Sequence, residues 1–376
     1  VLLDKSRPHE PGPNVDAKLM DAWTRDHPGP AVYVGSPFPD VAAVPLLDGY
    51  YLAPGGPGLG EPDVLEMMGL GAYVEWLQME NHSPMHETKG RVLDAAERLL
   101  RERYGDRVVI QRSYHVEPKV GRGESDAEAA EAFRAAGVPL VVDAYTTTVF
   151  SDVMNTCMMR PHMEHAFDQA GFAGRLVHSE AAGTSPAYAQ AVATRVAALL
   201  AEHPADARVA VFLTHHGASP SAKSPCSGAP DAYNAGAKAL FESARAALEA
   251  ADVRPAAGVF QVYGQGAGAA DDGILSPEEA LAKAREAGAT HVLDLPYELT
   301  GDGFDNLVAQ RASYGLDPRD APHYDANRET YLTRDGMTIR IASASYETEL
   351  RAEALVDAIA RALGEGVSGD GHAHEH

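Results

Sequence analysis

The chain has 376 residues, 45% of them hydrophobic, and its 31 Lys and Arg against 54 Asp and Glu give a formal net charge of −23. A chain of this length usually exceeds one hydrophobic core, so two domains are expected. The negative charge argues against nucleic acid as a partner, because such binding depends on neutralising phosphates. No stretch reaches the roughly 18 consecutive apolar residues that predict a transmembrane helix.

The N-terminal segment and the cysteines predict a cytoplasmic protein. Residues 1–30 are rich in Pro, Asp and Gly and predict an extension over the surface, without the basic and apolar regions of a signal peptide. Cys157 and Cys226 lie far apart and form no CxxC pattern. This spacing argues against a disulfide scaffold or a structural zinc site and fits a reducing compartment.

Strands alternate with helices along the rest of the chain. The predicted elements are, in order, strand 31–35, helix 91–104, strand 108–114, helix 127–136, strand 140–144, helix 187–202, strand 208–213, helix 235–250, strand 258–263, helix 277–287, strand 291–295 and helix 347–363. Such alternation predicts βαβ units and parallel sheets flanked by helices. We expect a first α/β lobe over 31–186, a second over 187–363, and a flexible tail, 364–376, with histidines at 372, 374 and 376.

An internal repeat supports two similar lobes. Residues 131–155 align without a gap with residues 282–306, and the alignment pairs Gly137 with Gly288, Asp143 with Asp294 and Asn155 with Asn306. Each copy reads as the end of a helix, a glycine stop, a buried strand and a polar turn that opens a new helix. A long-range repeat of this kind predicts two related α/β units, whose facing strand ends form a cleft for ligands.

Histidines at strand ends are the first candidates for chemistry. His215 and His216 follow a hydrophobic strand, where open α/β sheets bind ligands, and histidine serves both as a proton acceptor and as a metal ligand. Adjacent residues leaving a strand point to opposite sides, so only one of the two need face the cleft. His82 and Ser83 hold the equivalent place in the first lobe. A histidine buried or exposed for structural reasons alone is the alternative for each.

Carboxylates after the strand at 291–295 are the second candidates. Asp302 and Asp305 are three residues apart and share one face if a helix begins there, while Glu298 directly follows the strand. Together they could hold a divalent cation and take up protons. Asp302 and Asp305 could instead cap the helix.

Two other patterns are less specific. The Met-, Cys- and His-rich segment 154–165 offers soft ligands suited to copper(I) or haem iron, although methionine at helical spacing also fills cores. The glycine-rich segment 264–268 follows a strand but does not open a helix, so we expect no nucleotide cofactor.

Four segments resemble the class II chelatase superfamily, which comprises ferrochelatases and the cobalt and sirohydrochlorin chelatases. VAVFLTHHGASP (209–220) resembles the family's strand that ends in a catalytic histidine. GATHVLDLPYELTGDGFDNL (288–307) resembles its later strand and its Pro-x-x-x-x-Ser-Asp-His-x-Glu-x-Leu turn. HSPMHETKGRVLDAAERL (82–99) resembles its Ser-Pro-x-x-x-x-Thr segment, and DAYTTTVFSD (143–152) occupies the place of its Tyr-Pro-x-Tyr-Ser turn.

The resemblance implies two similar flavodoxin-like lobes with a tetrapyrrole cleft between them. It gives the catalytic role to His215 and the role of the family's glutamate to Asp305, and it extends the metal site to His216, Glu298 and Asp302. The residues expected to line the substrate are His82, Ser83, Tyr145, Thr147 and Tyr297. The chain departs from the family at Gly303, where the family has histidine, and at Asp305, which is shorter than glutamate.

The sequence therefore predicts ferrochelatase-like insertion of a divalent metal ion (Fe, Co or Ni) into a tetrapyrrole. Two alternatives stay open. One is a chelatase-fold protein that binds metal or haem without turnover, and the other is a different metal-dependent enzyme that keeps the same residues as permanent ligands. The oligomeric state is not predicted.

Overall fold

The computed structural model describes residues 2–5, 31–32, 44–47, 50–52, 84–114, 124–217, 226, 228, 232–264, 273–299, 301–302, 306–307, 310–316 and 327–364. The strands are β1 (Leu2–Lys5), β2 (Ala31–Val32), β3 (Val44–Leu47), β4 (Tyr50–Leu52), β5 (Gln111–Tyr114), β6 (Glu124–Ser125), β7 (Leu140–Tyr145), β8 (Arg175–His178), β9 (Val209–His215), β10 (Val259–Tyr263), β11 (His291–Pro296), β12 (Thr330–Arg334) and β13 (Met337–Ile341). The helices are α1 (Pro84–Tyr104), α2 (Asp126–Ala135), α3 (Arg160–Gln169), α4 (Pro186–Ala201), α5 (Tyr233–Ala250), α6 (Pro277–Glu286), α7 (Gln310–Ser313) and α8 (Thr348–Ala362). The predicted α/β class is confirmed.

The first large sheet has the order β6-β5-β1-β7-β8, and every neighbouring pair in it is parallel. Its middle strand β1 comes from residues 1–30, where the sequence suggested an extension over the surface. Leu2 and Leu3 instead pair with β5 on one side and β7 on the other. The short β2, β4 and β3 form a separate three-stranded sheet.

The second large sheet has the order β10-β9-β11-β13-β12 and is mixed rather than wholly parallel. Its first four strands are parallel, and β12 pairs antiparallel with β13. The hairpin turn is Asp335–Gly336, and both residues have positive φ, 52° and 79°. Asp-Gly is a strong signal for such a two-residue turn, so the sequence alone is sufficient to predict this hairpin.

Helices cover both faces of each large sheet. On the second sheet, α4 and α5 pack on the face of Val211 and Leu293, and α6 packs on the face of Phe212 and Val292. On the first sheet, α1 and α8 pack against Val142, whereas α2 and α3 pack on the opposite face. The last helix of the described chain, α8, therefore packs on the first sheet, next to α1 and α4. Among the described helices, none is long and apolar enough to cross a membrane.

The internal repeat corresponds to a repeated structure. Gly137 and Gly288 end helices α2 and α6 with φ of 62° and 75°, values that favour glycine. Asp143 and Asp294 are fully buried in β7 and β11. Their peptide oxygens accept hydrogen bonds of 2.8 Å from equivalent positions after the next strand of each sheet, at Ser179 and Ala342. Where both copies are described, the two segments share a helix end, a glycine stop and a buried strand.

The prediction for the cysteines is wrong. Cys157, in the π-helical segment Asp152–Met159 after β7, forms a disulfide with Cys226, which lies between β9 and α5. Although 69 residues separate the two cysteines along the chain, their Cα atoms lie 5.6 Å apart, well within the range that a disulfide spans. The bridge joins the segment that follows β7 to the segment that follows β9.

We expect the double variant Cys157→Ser, Cys226→Ser to lower the free energy of unfolding by about 4 kcal/mol, because the bridge closes a long loop in the unfolded chain. Urea unfolding of the two proteins measures the difference. Dithiothreitol should destabilise the wild-type protein and leave the variant unchanged. Titration of two free thiols in the native oxidised protein would contradict the bridge.

Candidate functional site

The candidate site lies at the carboxyl ends of β9 and β11, in the second large sheet. These strands are neighbours, and the chain continues from β9 to β10 on one side and returns to β11 on the other. Open α/β sheets bind ligands at such a change of direction. His215 is the last residue of β9, and the peptide N–H of Tyr297 donates to the Thr214 oxygen across the strand pair, at 3.1 Å. His215 and Tyr297 thus leave the sheet side by side.

His215 is a buried, neutral imidazole. Only 2% of its surface is exposed, and burial, together with the nearby His216, lowers its pKa to about 3. Its Nε2 lies 3.4 Å from Nε2 of Gln261, and its buried Nδ1 has no hydrogen-bond partner among the described residues. The rings of Tyr233 and Tyr297 lie 6.0 and 6.4 Å away between centroids. A neutral imidazole retains a lone pair on one nitrogen, which is the form that binds metals.

His216 faces a different environment from His215, as expected for adjacent residues that leave a strand. Its peptide N–H donates to Oε2 of Glu298 at 2.9 Å, and its Nδ1 lies 2.6 Å from the peptide oxygen of Gly217. The ring is partly exposed and meets the edge of Tyr233. Glu298 therefore connects the two strand ends through the backbone of His216.

The turn that carries Glu298 is fixed by hydroxyl groups. The Tyr297 peptide oxygen accepts 2.9 Å hydrogen bonds from the hydroxyls of Tyr188 and Tyr346. The Glu298 peptide oxygen accepts from the hydroxyl of Thr148, in the turn after β7. The carboxylate of Glu298 lies close enough to Tyr233 that its charge, after burial, raises the pKa of that phenol. Residues from both large sheets therefore position this carboxylate.

The carboxylate of Asp302 accepts hydrogen bonds from other groups of the protein. Its side chain is fully buried, and Oδ1 accepts 2.7 Å hydrogen bonds from Nδ2 of Asn306 and the peptide N–H of Ala344. Oδ2 accepts from the hydroxyl of Ser343 at 2.6 Å. Three donors occupy both oxygens, so the arrangement favours a structural role, which ties Asp302 to the segment after β13, over that of a metal ligand.

The other predicted site residues fall into two groups. His82, Ser83, Asp305 and the tail histidines at 372, 374 and 376 lie outside the described residues. Tyr145 ends β7 and Thr147 follows it, rather than lying at His215: the Tyr145 hydroxyl is 3.1 Å from Nδ1 of His178, and the Thr147 hydroxyl accepts from Asn155. Tyr297 does lie beside His215.

The Met-, Cys- and His-rich segment contributes mainly to packing where it is described. Met159 and Met163 are buried, and Met163 packs between α2 and α3. Cys157 is held in the disulfide, and Nδ1 of His162 lies 3.1 Å from Asp126. The core-filling interpretation therefore holds for these methionines.

Within the described residues, no three or more His, Cys, Asp or Glu side chains gather as a ready metal-binding group. His215 and Glu298 together offer an imidazole and a carboxylate, which is a small donor set. The sequence did not indicate the residues that surround His215, namely Tyr233 and Gln261.

No protein-family model matches the chain, and no curated protein is detectably similar to it. The resemblance to the class II chelatase superfamily therefore stays a prediction.

Buried neutral His215 should make the fold sensitive to acid. Its folded-state pKa lies below its unfolded value, so the unfolded chain alone binds a proton as the pH falls from 6.5 towards 3, and stability is lost over that window. Between pH 7.5 and 5 we expect wild-type stability to fall by about 2 kcal/mol more than that of His215→Gln. Urea unfolding in EDTA measures both. Parallel stability curves would contradict the burial of a neutral imidazole.

Removing the Asp302 carboxylate should be costly to the fold. Asp302→Ala leaves buried donors at Asn306, Ser343 and Ala344 without their acceptor, so we expect the free energy of unfolding to fall by about 3 kcal/mol. The exposed Asp206→Ala, in the loop before β9, serves as the control and should change it little. Equal stabilities for the two variants would argue against this structural role.

Proposed function

We propose that the chain inserts a divalent metal ion into a tetrapyrrole, with the β9–β11 strand ends as the reaction site. The observation that carries the proposal is the neutral His215 imidazole at the end of β9, where the chain changes direction across the sheet, next to His216, whose peptide N–H binds the Glu298 carboxylate. The arrangement of β10, β9 and β11 supports a flavodoxin-like second lobe, because the second strand lies on one side of the first and the third on the other.

His215 suits metal transfer better than proton transfer. Insertion needs a weak metal site that can surrender its ion, and it needs acceptors for two pyrrole protons. An imidazole with a pKa of about 3 accepts protons poorly near neutral pH but is always in its ligand form. We therefore assign the metal contact to His215, which refines the dual role expected from the sequence.

Glu298 is assigned to proton acceptance, because its side chain is partly exposed to solvent. The hydrogen bond from the His216 N–H holds one of its oxygens, and the fixed turn holds its backbone. A base held in place beside the reacting atoms is the usual requirement of such catalysis. Asp305, matched to the family's glutamate by sequence, is proposed as the second acceptor.

A binding protein without turnover is the second candidate, and one observation favours it. Only 2% of the His215 surface is exposed, so an ion or macrocycle bound there would exchange slowly. The divalent metal (Fe, Co or Ni) and the tetrapyrrole would then be ligands rather than substrates.

Metallation measured by absorbance tests the proposal. The protein is incubated with Fe(II), Co(II), Ni(II) or Zn(II) and with porphyrins or sirohydrochlorin. We expect His215→Ala to abolish the reaction and Glu298→Gln to slow it by about 100-fold, because the first removes the metal contact and the second a proton acceptor. His291→Gln is the matched control, since His291 begins β11 at the opposite end of the sheet.

The outcomes separate the candidates. Failure of every metal and macrocycle pair to react above background would rule out the enzyme. Stoichiometric, His215-dependent retention of a macrocycle without metallation would establish the binding protein instead. Equal losses in His215→Ala and His291→Gln would point to general destabilisation and not to the site.

A further inference from the structure

A second cavity lies at the carboxyl ends of β7 and β8 in the first large sheet. Its volume is about 600 Å³, and α5 of the other half of the chain forms the opposite wall. The lining residues used below are Phe150, Arg160, His178, Glu180, Ala239 and Leu240. A cavity of this size suits a small organic ligand, and strand ends facing another structural unit are a common place for one.

One end of this cavity carries two basic side chains, Arg160 and His178. The His178 Nδ1 lies 2.8 Å from Oδ2 of Asp143, which is fully buried beneath it. This carboxylate holds the Nδ1 edge inward and leaves the Nε2 edge to face away from the sheet. The buried Nε of Arg160 donates no hydrogen bond within the described part of the chain. The ligand contact is therefore assigned to the terminal nitrogens of the Arg160 guanidinium, since this residue lines the cavity.

The acidic side chains near Arg160 and His178 either accept hydrogen bonds from other residues or are exposed enough for a ligand to displace them. The Glu180 carboxylate accepts hydrogen bonds from Nε of Arg361 at 3.2 Å and from the hydroxyl of Thr184 at 3.4 Å. The Glu164 carboxylate lies 3.4 Å from Nε2 of His178, and 54% of that side chain is exposed. A contact to an exposed carboxylate at this distance contributes little stability, so a ligand anion can take the place of Glu164. Asp143, held under the ring, is not available to solvent.

The other end of the cavity is apolar. Phe150 follows β7, and Leu240 and Ala239 lie on α5. Phosphate sites usually rely on backbone N–H groups at a helix N-terminus, whereas this cavity offers a guanidinium and an imidazole next to a hydrocarbon wall. A planar carboxylate matches the fork of a guanidinium.

We propose that this cavity binds a compact organic carboxylate, with Arg160 and His178 contacting the carboxylate group and Phe150 and Leu240 contacting its hydrophobic body. The site is separate from His215 and does not depend on metal insertion there.

Benzoate is the probe for this site, and isothermal titration calorimetry measures its dissociation constant. We expect saturable binding of benzoate, and much weaker binding of benzyl alcohol, which keeps the ring but lacks the charge. Arg160→Met should raise the dissociation constant by about tenfold, since it removes a charge-assisted hydrogen bond. The matched control is Arg245→Met, an exposed arginine of α5 that does not line the cavity, and it should bind as the wild type does. His215→Ala should also leave benzoate binding unchanged.

A second variant and a second anion keep the test decisive. Ala239→Trp fills the cavity from an exposed position, so it should block benzoate while preserving the circular dichroism spectrum, even if Arg160→Met fails to fold. Three results would overturn the proposal. They are the absence of saturable benzoate binding, unchanged affinity in both folded variants, and tighter Arg160-dependent binding of inorganic phosphate than of benzoate.

Discussion

The geometry of the candidate site depends on one buried guanidinium, that of Arg351 in α8. Only 2% of this residue is exposed, and its guanidinium donates to the peptide oxygens of Ala344 and Leu299 while it packs against the rings of Tyr188 and Tyr346. Those two tyrosines in turn donate to the Tyr297 peptide oxygen. A buried charge is tolerated when polar groups surround it, and here peptide oxygens bind both terminal nitrogens in place of a carboxylate, while Nε has no hydrogen-bond partner among the described residues. The turn that carries Glu298 is fixed as a result.

The same contacts join the two halves of the molecule. Helix α8 ends the second half but packs on the first sheet, and α4, which precedes β9, packs on the second sheet and against α8. The hydroxyl of Thr148 reaches across to Glu298, and the Cys157–Cys226 bridge links the segments that follow β7 and β9. Gly183 packs so closely against the backbone of Thr148 that a Cβ at position 183 would lie 2.2 Å from the Thr148 peptide oxygen. The cavity and the candidate site therefore both lie next to these contacts, which hold the carboxyl ends of β7, β9 and β11 in fixed positions.

The sequence predicts the parts of this arrangement that repeat along the chain, and it misses those that arise across space. Hydrophobic periodicity and the glycine stops predict β7, β11 and the histidine at the end of β9, because these signals are local. The proximity of Cys157 to Cys226 is set by tertiary packing, so spacing alone misleads. Asp302 shows the same limit, since its donors Ser343 and Ala344 are about forty residues away along the chain. The β12–β13 hairpin differs, because its Asp-Gly turn was a readable local signal.

The two copies of the repeat show how one buried aspartate can serve two purposes. Asp294 in β11 accepts from the hydroxyls of Thr214 and Tyr314, and its hydrogen bonds within the described residues do not include one from a histidine. Asp143, at the matched position in β7, lies against the imidazole of His178, which lines the second cavity. Burial raises the pKa of both carboxyls, and the hydrogen bonds that each carboxylate accepts favour its ionised form. A buried aspartate that binds only hydroxyl groups has a structural role. A buried aspartate that binds an imidazole can also orient that imidazole towards the proposed ligand. The asymmetry of the repeat therefore separates two chemistries, a buried neutral histidine at the end of β9 and a carboxylate-supported histidine at the end of β8.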